Sequence, residues 1–348
     1  MMKALSVSAF IMTTSSNRPP TIADVAQRAE VSIATVSRVV NGSTPVNPET
    51  AKRVRDAIQE LNYVPSPAAR TLANRRTNTI GLLLPEISGE FLQHLLRGIE
   101  AAVRDAGFDL LIHSTQDSHR NRPLGEHNTD GILVFPESVD ESELRRLHDI
   151  GFPVVLLHQA PPDGIKFPMV TVENRSGAEM LVNHLIEKHG RRRIAFLRGP
   201  EGHVDSLWRE RGYRSALESH NIAFTASLIG YGGFDETTAR ETIQSWLLDG
   251  LDFDAVFAGD DDSAIGVISA LKKTGKRVPE DVAVVGFDDV PFARFINPPL
   301  TTIRAPIEDV GREAVGLLVK CIRQKHCEPT IQLPTELVIR QSCGCKPA

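Results

Sequence analysis

The 348-residue chain has only four cysteines, no C-x-x-C pair among them, and no apolar run long enough to span a bilayer. Scarce cysteine argues against a disulfide framework, and the missing apolar run argues against a transmembrane helix. Cys321, Cys327, Cys343 and Cys345 crowd the C-terminal end. There Cys343-Gly344-Cys345 has the chemistry to seed a metal or redox site, but reduced thiols in a cytoplasmic protein are the expectation. Also missing are a G-x-G-x-x-G after a strand, a P-loop lysine and a readable nucleophile-base pairing. No enzyme is expected, the alternative of that class being a phosphatase built on Asp260-Asp261-Asp262 or a dehydrogenase. His113, His119 and His127 fit no ligand spacing, so no metal or other cofactor is expected. Met1 to Ser16 carries Lys3 and the apolar run Ala4–Met12, superficially a signal peptide, yet lacks a convincing cleavage site. Residues 1–20 are read as a disordered extension.

What the sequence does have begins at Thr21. Thr21 can cap a helix with Asp24 as its partner, and Val25, Ala26 and Ala29 recur at helical spacing. Glu30-Val31-Ser32 breaks it. Ser32 caps a second helix whose Val36, Val39 and Val40 face inward while Ile33, Ala34, Ser37 and Arg38 project outward, and Asn41-Gly42 stops it. That is a helix-turn-helix, whose second helix enters the major groove of double-stranded DNA. Asn47-Pro48-Glu49 opens a third helix with Val54, Ala57, Ile58 and Leu61 as its buried stripe. After Tyr63-Val64-Pro65, a short basic helix over Ala68–Asn74 is expected.

Charge is segregated along the chain. Nine Lys/Arg oppose five acids between Arg18 and Thr79, a net of +4, whereas the whole chain is −5. The positive field is thus confined to the segment that would face phosphate. An exported solute-binding protein would have no use for such a module. Beyond it, the short apolar runs Ile80–Leu84, Leu110–Ile112, Gly131–Phe135, Val154–Leu157, Ile194–Leu197, Ala255–Ala258 and Val282–Gly286 read as buried parallel strands. Helical patterns at Phe91–Ala106, Ala178–Lys188, Leu207–Ser219, Thr237–Leu248 and Ser263–Thr274 alternate with them. Such alternation gives doubly wound sheets that bind ligands at the strands' carboxyl ends.

The stretch from Asp24-Val25-Ala26 through Arg38-Val39-Val40-Asn41-Gly42, with Leu61-Asn62-Tyr63-Val64-Pro65 after it, resembles the LacI family of bacterial transcription regulators. The likeness runs to about Cys345. It implies an all-α helix-turn-helix DNA-binding domain over 21–65, a hinge helix over 66–78, and an α/β two-lobed, periplasmic-binding-protein-like (type I) effector domain over 79–345. The hinge position that matches the family's minor-groove leucine is Leu72, preceded by Arg70; such a wedge bends the duplex. DNA contacts are then expected from Thr21, Ser32, Ile33, Ala34, Thr35, Ser37, Arg38 and Asn41. Arg38 would read a base, probing guanine, Ile33 and Ala34 would select by apolar contact, and Thr35 and Ser37 would touch phosphate or cap.

In the inter-lobe cleft the resemblance assigns Arg209 as a clamping arginine and Asp288 of Gly286-Phe287-Asp288-Asp289 as its facing carboxylate. Phe91, Leu92, His203, Asp205 and Phe234 are further cleft candidates. Two positions depart from the family. Asp260 replaces a common asparagine, an acceptor-only group, and His158-Gln159 stands for a common Asp-Arg. A third departure is structural: between Ser114 and Asp130 a family helix is shortened or lost, which would uncover part of one sheet face. The expected partners are an operator, a small sugar-like effector, with a nucleoside as the alternative, and a second copy of the chain. The chain ends within six residues of Ser342, without room for leucine heptads, so a homodimer is expected. A cytoplasmic, nucleoid-associated regulator, acting as an effector-controlled repressor, is the reading that joins these features.

Overall fold

Thr21 does what its spacing from Asp24 predicts: its hydroxyl accepts from Asp24 N at 3.4 Å while the Asp24 carboxylate accepts from Thr21 N at 2.7 Å, a reciprocal capping box. The computed structural model describes residues 18–42, 44–64, 76–85, 87, 89–115, 124–324 and 330–346, in two units that divide after Thr77. In the first unit, α1 (Ile22–Ala29) ends at Glu30, held in the left-handed region at φ 53. Ser32 caps α2 (Ile33–Asn41) by accepting from Thr35 N at 3.1 Å. Asn47 caps α3 (Pro48–Glu60), with Pro48 in its first turn. Val25, Ala26, Ala29, Val36, Val54, Ala57 and Tyr63 close one core around which Val39, Val40, Ile58 and Leu61 pack. Arg28 on α1 pairs with Glu60 on α3 at 2.6 Å.

The second unit alternates strand and helix: β1 (Thr79–Leu84), α4 (Glu90–Asp105), β2 (Asp109–Ser114), β3 (Gly131–Val134), α5 (Glu141–Asp149), β4 (Val154–Leu157) and β5 (Met169–Val172). There follow α6 (Asn174–His189), β6 (Ile194–Arg198), α7 (Val204–Ser219), β7 (Ile229–Tyr231), α8 (Glu236–Leu248), β8 (Ala255–Ala258), α9 (Asp261–Lys273) and β9 (Ala283–Val285). The described chain closes with β10 (Thr302–Arg304), α10 (Ile307–Gln324), β11 (Thr330–Leu333) and β12 (Glu336–Val338). Two parallel sheets result, ordered β11-β5-β4-β3-β1-β2 and β7-β6-β8-β9, with the antiparallel pair β10-β12 beside them. The buried strands are apolar on both faces, as parallel sheets covered by helices require.

The lobes are not contiguous in sequence. After the second sheet, α10 packs on α4 and β11 pairs in parallel with β5, so the C-terminal elements return to the first lobe. Reading strands in chain order misses this crossover, along with the strands β5, β7 and β10 to β12 and the helices α5 and α10. The expected loss of a helix after Ser114 falls mostly on residues outside those described. Edge strand β2 does expose Leu111 and Ile112. The thiols differ from the all-reduced expectation: Cys321 is disulfide-bonded, with its partner outside the described residues, while Cys343 and Cys345 are free. Pairing is set by Cα separation and side-chain direction, which composition does not carry. No helix among the described residues is long and apolar enough to cross a membrane.

Candidate ligand cleft and DNA-reading helix

On α2 the outward face is small and apolar apart from one cation. Ile33 is 52% exposed, Ala34 and Arg38 are exposed, and Val36 is fully buried beneath them. Arg38 has no hydrogen-bond or ion-pair partner among the described residues. Thr35 is occupied locally, its hydroxyl 2.9 Å from that of Ser32, and Ser37 is half-buried. Thr21 and Ser32 are exposed caps at the starts of α1 and α2, where anions are stabilised, although the Thr21 N–H is already taken by Asp24. Asn41 ends α2, and its side chain, like Arg70 and Leu72 entirely, lies outside the described residues.

In the second unit the carboxyl ends of β1, β3, β4, β6, β7, β8 and β9 face one cavity of about 570 Å³. That volume suits a small ligand. All nine cleft residues expected from the sequence line it: Phe91, Leu92, His158, His203, Asp205, Arg209, Phe234, Asp260 and Asp288. Leu92 also belongs to the lobe core. Phe135, Glu137 and Asp262 line it too and were not read from the sequence. Phe135 sits one residue beyond β3, so the rule that ligands meet strand carboxyl ends would have found it.

Arg209 is held from every side. Its Nε donates to Asn174 Oδ1 at 2.9 Å, Nη1 to Gly259 O at 2.6 Å and Nη2 to Asp288 Oδ1 at 3.1 Å. The guanidinium also lies 3.8 Å from the Phe287 ring centroid and 5.4 Å from that of Phe234. Three of its five N–H groups are thereby committed, so it offers a ligand two donors of fixed direction rather than an open fork. Asp288 has φ 108 and Asp289 φ 56, sparsely populated backbone secured by ion pairs from Arg304 and Arg340 to Asp289.

Across the cleft, His158 Nδ1 lies 2.7 Å from Asp205 Oδ2, and Thr171 Oγ1 donates to Asp205 Oδ1 at 3.0 Å. Burial opposes the charge of Asp205, but His158 and Arg209 hold its carboxyl below the ordinary range. An ionised Asp205 requires the proton on His158 Nδ1, which leaves Nε2 buried and without a partner. Phe91 and Phe135 frame the same ring with centroids 5.4 and 6.0 Å away. His203 meets Phe234 edge-on at 5.2 Å, and burial lowers its pKa to about 4, so it is neutral, with Nδ1 unpaired. Phe234, at φ 56, lies over Gly199 and Gly259; a Cβ on either would sit within 3 Å of its ring, at 2.3 and 2.9 Å.

The acidic run divides its tasks. Asp260 caps α9 by accepting from Ser263 N at 3.0 Å, and burial, with Asp288 and Asp262 nearby, raises its pKa to about 7. An expected acceptor-only group is therefore protonated in part near neutrality and can donate. Burial and Asp288 raise Asp262 to about 6. Asp261 is structural, accepting from Thr302 Oγ1 at 2.6 Å and Val290 N at 3.0 Å. The cleft thus presents paired donors and acceptors between aromatic walls, a surface for a polyhydroxylated or ring-bearing molecule.

Residues 21–66 match the family described as bacterial regulatory proteins of the lacI type, and 182–343 match the periplasmic binding protein-like domain. The chain is 36% identical to the HTH-type transcriptional regulator CelR of Thermobifida fusca, over 93% of this chain and 98% of that one. It is 33% identical to the ribose operon repressor of Halalkalibacterium halodurans, over 92% and 96%. Among solved structures, the CelR-cellobiose complex superimposes with TM-score 0.71 at 34% identity, covering 93% and 99%. The Lac repressor dimer bound to operator and anti-inducer does so with TM-score 0.80 at 25% identity, covering 94% and 99%. With that helix-turn-helix, that two-lobed cleft and relatives along nearly its whole length, the chain is a DNA-binding transcriptional regulator of the LacI family, not an enzyme.

Proposed function

We propose that the chain is a cytoplasmic, nucleoid-associated repressor that binds a pseudopalindromic operator as a homodimer, with affinity set by a small sugar between its lobes. The domain assignment follows the same reading: an extension over 1–20, a DNA-binding domain over 21–65, a hinge helix over 66–78 with Arg70 and Leu72 on the duplex, and an effector domain over 79–345. The observation that carries the effector is the unpaired His158 Nε2 in an aromatic-walled cleft opposite Arg209 and Asp288. A sugar hydroxyl both donates and accepts. It can pair with His158 Nε2 and with two spare N–H groups at Arg209.

Relatives whose names or structures carry cellobiose and ribose support the sugar. A nucleoside is the second reading, favoured by Phe91, Phe135 and Phe234 as stacking walls and by PurR repressors of Aliivibrio at 33% identity. Thermal shift of the full chain against sugars, sugar phosphates, nucleosides and purines decides between them. A ligand at 100 times its Kd adds about 2.7 kcal/mol. Stabilisation by a sugar and not by nucleosides is expected, and the shift should vanish in Asp288→Asn. Stabilisation by purines alone would exclude the sugar.

A further inference from the structure

Helix α6 carries His184 and ends on His189, whose Nε2 atoms lie 3.3 Å apart. The C-terminal turn after β12 brings Cys343 and Cys345 to the same point. Cys345 Sγ is 3.4 Å from His189 Nε2 and 3.6 Å from His184 Nε2, and all four donor atoms, Cys343 Sγ included, fall within 4.8 Å of one another. Gly344 makes the turn at φ 114, where a Cβ would sit 3.0 Å from His189 Nδ1. In the sequence only Cys343-Gly344-Cys345 hints at such a site: 154 positions separate His189 from Cys343, and only the fold closes them together.

We propose that His184, His189, Cys343 and Cys345 form a closed, tetrahedral structural site for a zinc ion. Zinc bonds of about 2.05 Å to nitrogen and 2.3 Å to sulfur span tetrahedral edges of about 3.3 Å for N···N and about 3.6 Å for N···S. The His184–His189 distance and the two from Cys345 Sγ match those edges, and Cys343 Sγ lies within 4.8 Å of the other three donor atoms. Two thiols and two imidazoles select a borderline-soft ion and disfavour magnesium or calcium, which need oxygen. Binding releases the two thiol protons, and two thiolates on a dication leave no net charge. That neutrality suits Cys343, which is fully buried. Thr301 Oγ1 donates to Cys343 Sγ at 3.2 Å, an outer contact that orients the ligand.

The site lies at the far end of α6 from the cleft. Asn174, at the helix start, bonds Arg209, and 16 residues of helix span about 24 Å. Its effect is therefore to fasten the C-terminal tail. That tail already accepts from Val284 N through Ser342 O at 2.9 Å, on the outer strand of the second sheet.

The test uses the full chain, purified without a histidine tag under reducing conditions. Elemental analysis should find about one zinc per chain. Cobalt(II) added to chelator-stripped protein should give the intense visible bands of tetrahedral thiolate coordination, absent in Cys345→Ser and His189→Gln. Thr301→Val should weaken cobalt binding 10- to 100-fold. Should the ligand variants fail to fold, the wild-type readings still decide. No metal and no bands in reduced wild-type protein would overturn the site. So would bands that persist in Cys345→Ser, or a Cys343–Cys345 disulfide found by peptide mass spectrometry in freshly reduced protein.

Discussion

Arg38 and Asp260 carry the two residue-level predictions. Arg38 stands exposed on a helix whose neighbouring outward side chains, Ile33 and Ala34, have no charge, so in the proposed docking its removal takes away the strongest base-reading group on that face. Arg38→Ala should lose about 1–3 kcal/mol of operator affinity and relax selectivity at one base pair per half-site. Binding selections on randomised operators check it; an unchanged sequence profile would exclude this docking. Asp260 makes a pH prediction. Its native pKa of about 7, against an ordinary 3.8, means that the folded chain keeps a proton that the unfolded chain releases. The resulting stability is complete below about pH 4 and is lost as pH rises through 7. Neutral His203 works the other way between about pH 4 and 6.5, so the informative quantity is the difference between wild type and Asp260→Asn. Asparagine keeps the helix cap without the buried charge. Denaturant titrations should find the variant gaining on wild type from pH 5 to 8, by an amount of order 2–4 kcal/mol. A difference that stays flat with pH would mean the carboxyl is ionised throughout.

At the scale of elements, three helix pairs meet backbone to backbone at glycines. A Cβ on Gly98 of α4 would lie 1.9 Å from Glu308 O of α10, one on Gly212 of α7 2.2 Å from Arg175 O of α6, and one on Gly266 of α9 2.1 Å from Glu236 O of α8. Helix propensity alone favours Gly→Ala by up to about 1 kcal/mol. Here the carbonyl cannot yield unless the helices part, so Gly98→Ala should destabilise by about 1–3 kcal/mol instead, measured by urea unfolding. A stabilised Gly98→Ala would show that the pair has slack. These crossings also explain what the sequence conveyed. The caps at Thr21, Ser32 and Asn47 and the apolar strands are local signals, and they sit where spacing places them. The return of α10 and β11 to the first lobe depends on partners over 150 residues away, between Thr330 and Met169, and β11 alternates exposed and half-buried positions over four residues. The cleft divides likewise. Its residues were legible through the family resemblance, but the His158–Asp205 bond spans 47 positions and the proton on Asp260 arises from burial. Neither has a sequence pattern.

For the whole molecule, the segregation of charge separates two kinds of binding that can be measured independently. The operator-facing stretch from Arg18 to Thr79 is net +4 within a chain of −5, so operator affinity rests on counterion release and must fall steeply with salt. The proposed effector contacts, Arg209, Asp205, His158 and Asp288, are buried, where screening hardly reaches. Raising salt from about 50 to 200 mM should therefore weaken operator binding by orders of magnitude while changing effector affinity less than about twofold. Coupling between the two is then read at fixed salt. If the cleft controls DNA binding, effector must change operator affinity by a factor of about 5–150, and operator must change effector affinity by the same factor. Calorimetry of effector binding with and without saturating operator, beside operator titrations with and without saturating effector, gives both numbers. A factor of one would leave the cleft a binding site without control over DNA. A factor other than one fixes the sign too: tighter effector binding on operator means corepression, and weaker binding means induction.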